Sequence, residues 1–201
     1  MAARWKWFED VGSRFDRPWA LDTRWVSYFD IEGYRPEWLN GRHAVAAAHG
    51  RRLGALVGCR LDRVWLVWDR GADEWFADGP VLFDFGGEQV EVNHQKFSDL
   101  SITWNTVDPV GQATWSNGDD DAPYTFHLGW RHDALPELAV LEGQRLTAVE
   151  LLEWAGGDVA DGMVAVSFVF ADERVTISNA LDENALELGT PHQSYRRHPL
   201  H

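Results

Sequence analysis

Three features of the chain predict an α+β fold that is predominantly antiparallel β, with two tandem β-meander repeats sharing one core and one N-terminal helix. The first is an internal echo at a spacing of about 85 residues. Leu56-x-Gly58-x-Arg60-Leu61-x-x-Val64-x-Leu66 recurs as Leu141-x-Gly143-x-Arg145-Leu146-x-x-Val149-x-Leu151, and Glu88-x-Val90-x-Val92 as Glu173-x-Val175-x-Ile177. Phe83-x-Phe85 likewise returns as Phe168-x-Phe170. The second is apolar alternation of period two inside both copies, which marks strands. The third is Ala44-Val45-Ala46-Ala47-Ala48 ahead of the first copy, a strong helix former. A four-strand meander has one apolar face and little core of its own. The two are therefore expected to close on each other as a pseudo-twofold sandwich, a half-open barrel or one continuous sheet.

Along the chain, residues 1–55 form an aromatic-rich lead-in and the helix. Ten aromatics fall within the first 38 residues, too many to leave in water, so this segment is expected to pack along the repeats. Asn40 is the expected N-cap of the helix and Gly58 its stop, with Gly50 and Gly54 weakening the second half. Residues 56–109 form the first repeat. Val64, Leu66 and Trp68 alternate with Trp65 and Val67, giving a strand apolar on both faces and so covered on both. Residues 81–85 and 89–93 read as a hairpin around Gly86-Gly87, and residues 101–105 as a fourth strand.

Residues 110–140 are an insert that only one copy carries, with an extra strand over 124–128 and a short helical turn before Val140. The second repeat, 141–191, holds strands at 149–154, 164–170, 174–179 and 185–188. Residues 192–201 are polar, basic and contain Pro199, and read as a frayed tail or one lying across the acidic surface. The whole is expected to be a single domain over 1–201.

The formal charge is −14, unevenly spread. Residues 1–55 hold nine Lys/Arg against seven Asp/Glu, whereas residues 56–201 hold nine against twenty-five. Such a surface repels phosphate backbones and argues against nucleic-acid binding, while favouring a basic protein partner. No apolar run reaches membrane-spanning length, and the first residues lack the apolar core of a signal peptide. The single cysteine, Cys59, allows no internal disulfide, and the expected home is the cytoplasm.

Common catalytic and cofactor motifs are missing, including the dinucleotide and phosphate-binding glycine loops, the zinc-protease His pair and the serine elbow. His43 and His49 would leave a helix on different sides, and Asp119-Asp120-Asp121 lacks calcium-loop spacing. No metal or cofactor is expected. Arg60 and Arg145 read as structural ion-pair formers with acceptors such as Glu88 and Glu173.

Candidate site residues come from asymmetry. Asn93-His94-Gln95-Lys96 stands where the other copy has Ser178-Asn179-Ala180-Leu181. His94 and His127 are the candidate acid–base groups and Lys96 a candidate anion holder. Asn93, Trp104, Trp115 and Trp130 would line a ligand pocket between the repeats. Two functions follow. The favoured one is a non-catalytic protein-binding module with a basic partner, similar in composition to immunity proteins that block a basic toxin. The other is a small-molecule-binding protein or enzyme with that Trp/His pocket. Homo-oligomer assembly through an open sheet edge is a third route to function.

Overall fold

Two antiparallel sheets organise the described chain, which in this computed structural model comprises residues 28–118 and 125–200. Most of the aromatic lead-in and the acidic turn at 119–121 lie outside the described residues. In order, the strands are β1 (Trp38–Asn40), β2 (Arg63–Asp69), β3 (Glu74–Trp75), β4 (Val81–Asp84), β5 (Gln89–Gln95), β6 (Asp99–Trp104), β7 (Thr114–Asn117), β8 (Phe126–Arg131), β9 (Ala148–Trp154), β10 (Val164–Val169), β11 (Arg174–Asn179), β12 (Asn184–Leu188) and β13 (Tyr195–Leu200). Helix α1 (Arg42–Ala55) precedes β2 and the short α2 (Pro136–Ala139) precedes β9. The first sheet runs β1-β6-β5-β4-β2-β8-β7, with β3 on β2, and the second β12-β11-β10-β9-β13.

Alternation sorts each strand's side chains to two faces. Val64, Leu66, Val81, Phe83, Val90 and Val92 from the first sheet meet Val149, Leu151, Val166, Phe168, Val175 and Ile177 from the second in one buried cluster. The Phe83 and Phe168 rings lie 4.6 Å apart at its centre. Pairing is the same in both sheets: Val64 faces Phe83 as Val149 faces Phe168, and Val81 faces Val92 as Val166 faces Ile177. The segments leading into β2 and β9 also cross. Gly58 N–H donates to Leu146 O and Gly143 N–H to Leu61 O, while Leu61 N–H donates to Gln144 O and Leu146 N–H to Cys59 O.

Several sequence expectations need correction. Asn40 does not cap α1; it sits in β1, and its side-chain amide donates to Ser98 and Asp99. Gly41, at φ +77°, takes the cap position without a side-chain bond. The helix continues through Gly50, which is buried close to Leu200. The C-terminal residues are no loose tail. They form β13, whose six residues pair along β9 with Pro199 on the sheet edge, where its missing N–H leaves no ladder bond unmade. Arg60 pairs with Asp62 at 2.8 Å, and Arg145 donates to Gly58 O, whereas Glu88 is taken by Arg52. The insert supplies two strands, β7 and β8, and both join the first sheet beside β2.

The outward faces are built differently. On the first sheet Val67 and Leu82 are covered by Ile31, Tyr34, Phe76, Val107 and Leu128. Gly33 makes that cover possible: at φ +80° its α-carbon comes so close to Thr106 O that a β-carbon would sit 2.1 Å away. Beneath it Glu91 is fully buried; Oε1 accepts Thr106 N–H, and Oε2 has no hydrogen-bond partner among the described residues. On the second sheet Glu150 accepts a bidentate pair from Arg197 at 2.9 and 2.7 Å, and Arg174 at 2.5 Å.

These two carboxyls are expected to respond oppositely to neutralisation. Burial pushes Glu150 up, but the Arg197 and Arg174 guanidiniums more than offset this and hold it below its ordinary value. Its stabilisation is present above the unfolded pKa and fades as pH falls. Glu150→Gln should therefore cost about 3 kcal/mol in urea unfolding at pH 7 by stranding the two arginines. Burial pushes the Glu91 carboxyl above its ordinary value, with the Thr103 and Thr106 hydroxyls beside it offsetting part of this. The folded state then loses stability as pH rises through that elevated value. Glu91→Gln should raise the thermal midpoint at pH 7, with the gain vanishing below a pH of about 4.5. A loss at neutral pH would contradict the assignment of Glu91 as a buried cost.

Candidate functional site

The seven candidate residues occupy four separate places. Asn93 and His94 lie in β5 where it crosses the second sheet, and both are buried. The Asn184 side chain in β12 holds them. Its amide donates to Asn93 Oδ1 at 2.6 Å, Ala77 O at 3.0 Å and Gly79 O at 2.8 Å, while its Oδ1 accepts the His94 backbone N–H. With three acceptors around Nδ2, the orientation of the Asn184 amide is settled by its surroundings. Asn93 completes the link by donating to Asp78 O.

The imidazole of His94 spans two oxygens, Nδ1 to Asn184 Oδ1 and Nε2 to Val164 O, each at 3.1 Å. Both are acceptors, yet a neutral ring has one N–H. Only the imidazolium could donate to both, and complete burial opposes that form, holding His94 below its ordinary pKa. This is a clasp between the sheets, closed to solvent, and not an acid–base group facing a substrate.

Lys96 is exposed at the β5–β6 turn, with φ +50° and its ammonium 3.5 Å from Asp99. Its backbone N–H donates to Asp182, and its carbonyl accepts from Asn179, so the turn is fastened to the β11–β12 turn opposite. Trp104 packs beside α1, with the Arg52 guanidinium 4.4 Å above its ring and its N–H donating to His49 Nδ1. The Trp115 and Trp130 rings lie 5.6 Å apart at a tilt of 43° in the outer apolar cluster of the first sheet, and Trp115 N–H donates to Phe29 O. Trp115 and His127 share a cavity, a depression at the β7–β8 corner. The space between the two meanders is filled by the Phe83/Phe168 cluster.

A different cleft, of about 440 Å³, opens where β2 and β4 meet the loop after β6. Asp62, Arg63, Trp65, Asp84 and Asp108 line it, with Val110 on its rim, 72% exposed. Asp62 faces Arg60, and Asp108 Oδ1 accepts the Val110 and Gly111 N–H groups, fixing the loop's course. Trp65 stands with His132 edge-on at 4.9 Å and the Arg63 guanidinium 5.4 Å from its ring. Three carboxylates, one of them paired with Arg60, stand with the Arg63 guanidinium around a half-buried tryptophan and leave a net negative opening with an apolar wall. Trp65 drew attention in the sequence only as a strand residue; its i, i−3 neighbour Asp62 and the distant Asp84 and Asp108 are brought together by pairing alone.

No protein-family model matches the chain, and neither curated proteins nor solved structures provide a match. Function must therefore be read from the sites themselves. Among the described residues no group of three or more His, Cys, Asp or Glu side chains converges to hold a metal ion. No described helix is long and apolar enough to cross a membrane.

The clasp gives a pH test. His94 is held below its ordinary 6.5, so its contribution is present above that pH and is lost as pH falls through the depressed value. Urea midpoints should drop as pH is lowered from about 7 to about 5, and His94→Gln should flatten that limb. The variant should also cost about 1–3 kcal/mol at pH 7.5. An acid limb unchanged in His94→Gln would assign it to other groups.

Proposed function

We propose that this chain is a non-catalytic protein-binding module that docks a basic partner, in the manner of an immunity protein neutralising a cationic toxin. The observation that carries it is the cleft at Asp62, Trp65, Asp84 and Asp108. A partner's arginine or lysine entering there would meet carboxylates at the rim and an indole wall, the pairing of charge and aromatic anchor that recurs at binding hot spots. The overall charge of −14 extends the attraction beyond contact distance and speeds encounter. Two of the titratable candidates are engaged within the fold, His94 in the clasp and Lys96 with Asp99.

The scaffold reading belongs to the same proposal. The identical 85-residue shift between strand registers, and the reciprocal bonds around Arg60 and Arg145, support a duplicated meander closed about a pseudo-twofold axis. On that reading 1–201 is one domain, since neither meander could bury its inner face alone. A cytoplasmic setting suits the single, unpaired Cys59.

Titration with an oligoarginine peptide at low and high salt tests the binding function. Affinity should fall at least about tenfold between 50 and 300 mM salt, as screening shortens the field. At low salt, Asp62→Asn/Asp84→Asn/Asp108→Asn should weaken binding by about tenfold or more. The charge-matched control Glu137→Gln/Asp172→Asn/Glu173→Gln should change it little. Equal losses in both triples would show attraction to net charge alone and end the assignment of the cleft.

A further inference from the structure

We infer that the exposed face of the β2–β7–β8 corner is a binding site for a small oxyanion, separate from the acidic cleft. The cavity there is about 360 Å³ and is lined by Arg70, Thr114, Ser116 and His127, with no carboxylate among its described lining residues. On a chain of charge −14 that composition is unusual.

The strands set the groups in place. Ser116 and His127 face each other in the β7–β8 register, and Thr114 stands two residues from Ser116 on the same face. Arg70 follows β2, and its backbone N–H donates to His127 O at 2.8 Å, placing its side chain beside that histidine. Gly129 pairs with Thr114 in the same register. A β-carbon there would lie 3.2 Å from Arg70 Cδ and 3.4 Å from Thr114 Cγ2, so the bare backbone lets the arginine stem cross the strand toward Thr114.

The donors then point to one kind of ligand. Ser116 Oγ lies 3.1 Å from His127 Nδ1; with the hydroxyl donating to that nitrogen, the ring proton sits on Nε2 as a second donor. The Arg70 guanidinium makes no ion pair with any described residue. Its neighbour Asp69 is instead occupied by the Gly71 and Ala72 N–H groups. Arg131 shares the face but is already held by Asp73 and Asp133, each at 3.6 Å, and stacks on Trp68. One unspent planar guanidinium, an imidazole N–H and a threonine hydroxyl around an open cavity match a phosphate or carboxylate group. Such an anion presents at least two acceptor oxygens, which the cavity's donors satisfy without any proton transfer.

Calorimetric and thermal-shift titrations with sodium phosphate, phenyl phosphate and sodium acetate, each against sodium chloride at equal ionic strength, test the site. Saturable binding with Kd near about 1–10 mM is expected for at least one of the three, raising the thermal midpoint by mass action. A response to the phosphates alone identifies a phosphoryl ligand; one to acetate as well identifies a general oxyanion site. Arg70→Gln should weaken binding about tenfold or more and His127→Gln about threefold, while Arg131→Gln leaves it unchanged. The ring signals of His127, but not of His94, should move in nuclear magnetic resonance spectra as ligand is added. Absence of saturable binding above the chloride control, or binding that survives Arg70→Gln, would overturn the site without bearing on the acidic cleft.

Discussion

Everything in this molecule depends on two apolar sheet faces that are stable only against each other. Phe83 and Phe168 meet at 4.6 Å in the middle of that contact, and valines and leucines from both sheets surround them. Hydrophobic burial has no direction, so it alone would permit the sheets to slide or rotate. Directional bonds remove that freedom. The crossed backbone bonds between 58–61 and 143–146 tie one end, and Asn184 with His94 and Asn93 ties another. The clasp is polar because it has to specify a position, and it is buried because a bond in a dry site is worth more than one in water.

That constraint explains why the candidate residues were half legible. The inner faces could be read directly, since Val64/Leu66, Val90/Val92 and their counterparts Val149/Leu151 and Val175/Ile177 alternate cleanly. Asn93 and His94 stand out because Ser178 and Asn179 occupy the matching positions of the other copy. Sequence cannot say which surface a strand end meets, however. His94 became a clasp only because β12, about 90 residues later, delivers Asn184 beside it. A polar residue that departs from a pattern is equally the mark of a site and of a buried network. Strand β13 was missed for a related reason. Arg196, Arg197 and Pro199 look like a solvated tail, and an edge strand with one exposed side has a weak apolar signal. What makes it a strand is Glu150, whose buried carboxylate needs Arg197.

The outward faces carry the difference between the two halves. Across the first sheet one row reads Trp65, Leu82, Glu91, Thr103; across the second the corresponding row reads Glu150, Ser167, Thr176, Glu187. Half of the first row is apolar, and it takes a cover from residues 31–34 and Val107; Val107 also lines the acidic cleft, and β8 lines the Arg70 corner. The second row satisfies itself: Arg174 reaches both Glu150 and Ser167, and Thr176 donates to Ser167. Such a row needs no apolar covering layer.

Site formation thus follows from packing economy, not from special motifs. An apolar outer face must be covered, and covering it with short segments leaves seams where loops meet strands. At one seam the loop after β6 brings Asp108 opposite Asp62 and Asp84. At the other, the β2 turn brings Arg70 opposite His127. The two seams sit at opposite ends of β2, which pairs with β4 near Arg63 and with β8 near Asp69. One strand therefore separates a negative opening from a positive one by its own seven-residue length, roughly 20 Å. At that spacing, about two Debye lengths in physiological salt, each opening keeps its own sign instead of cancelling the other.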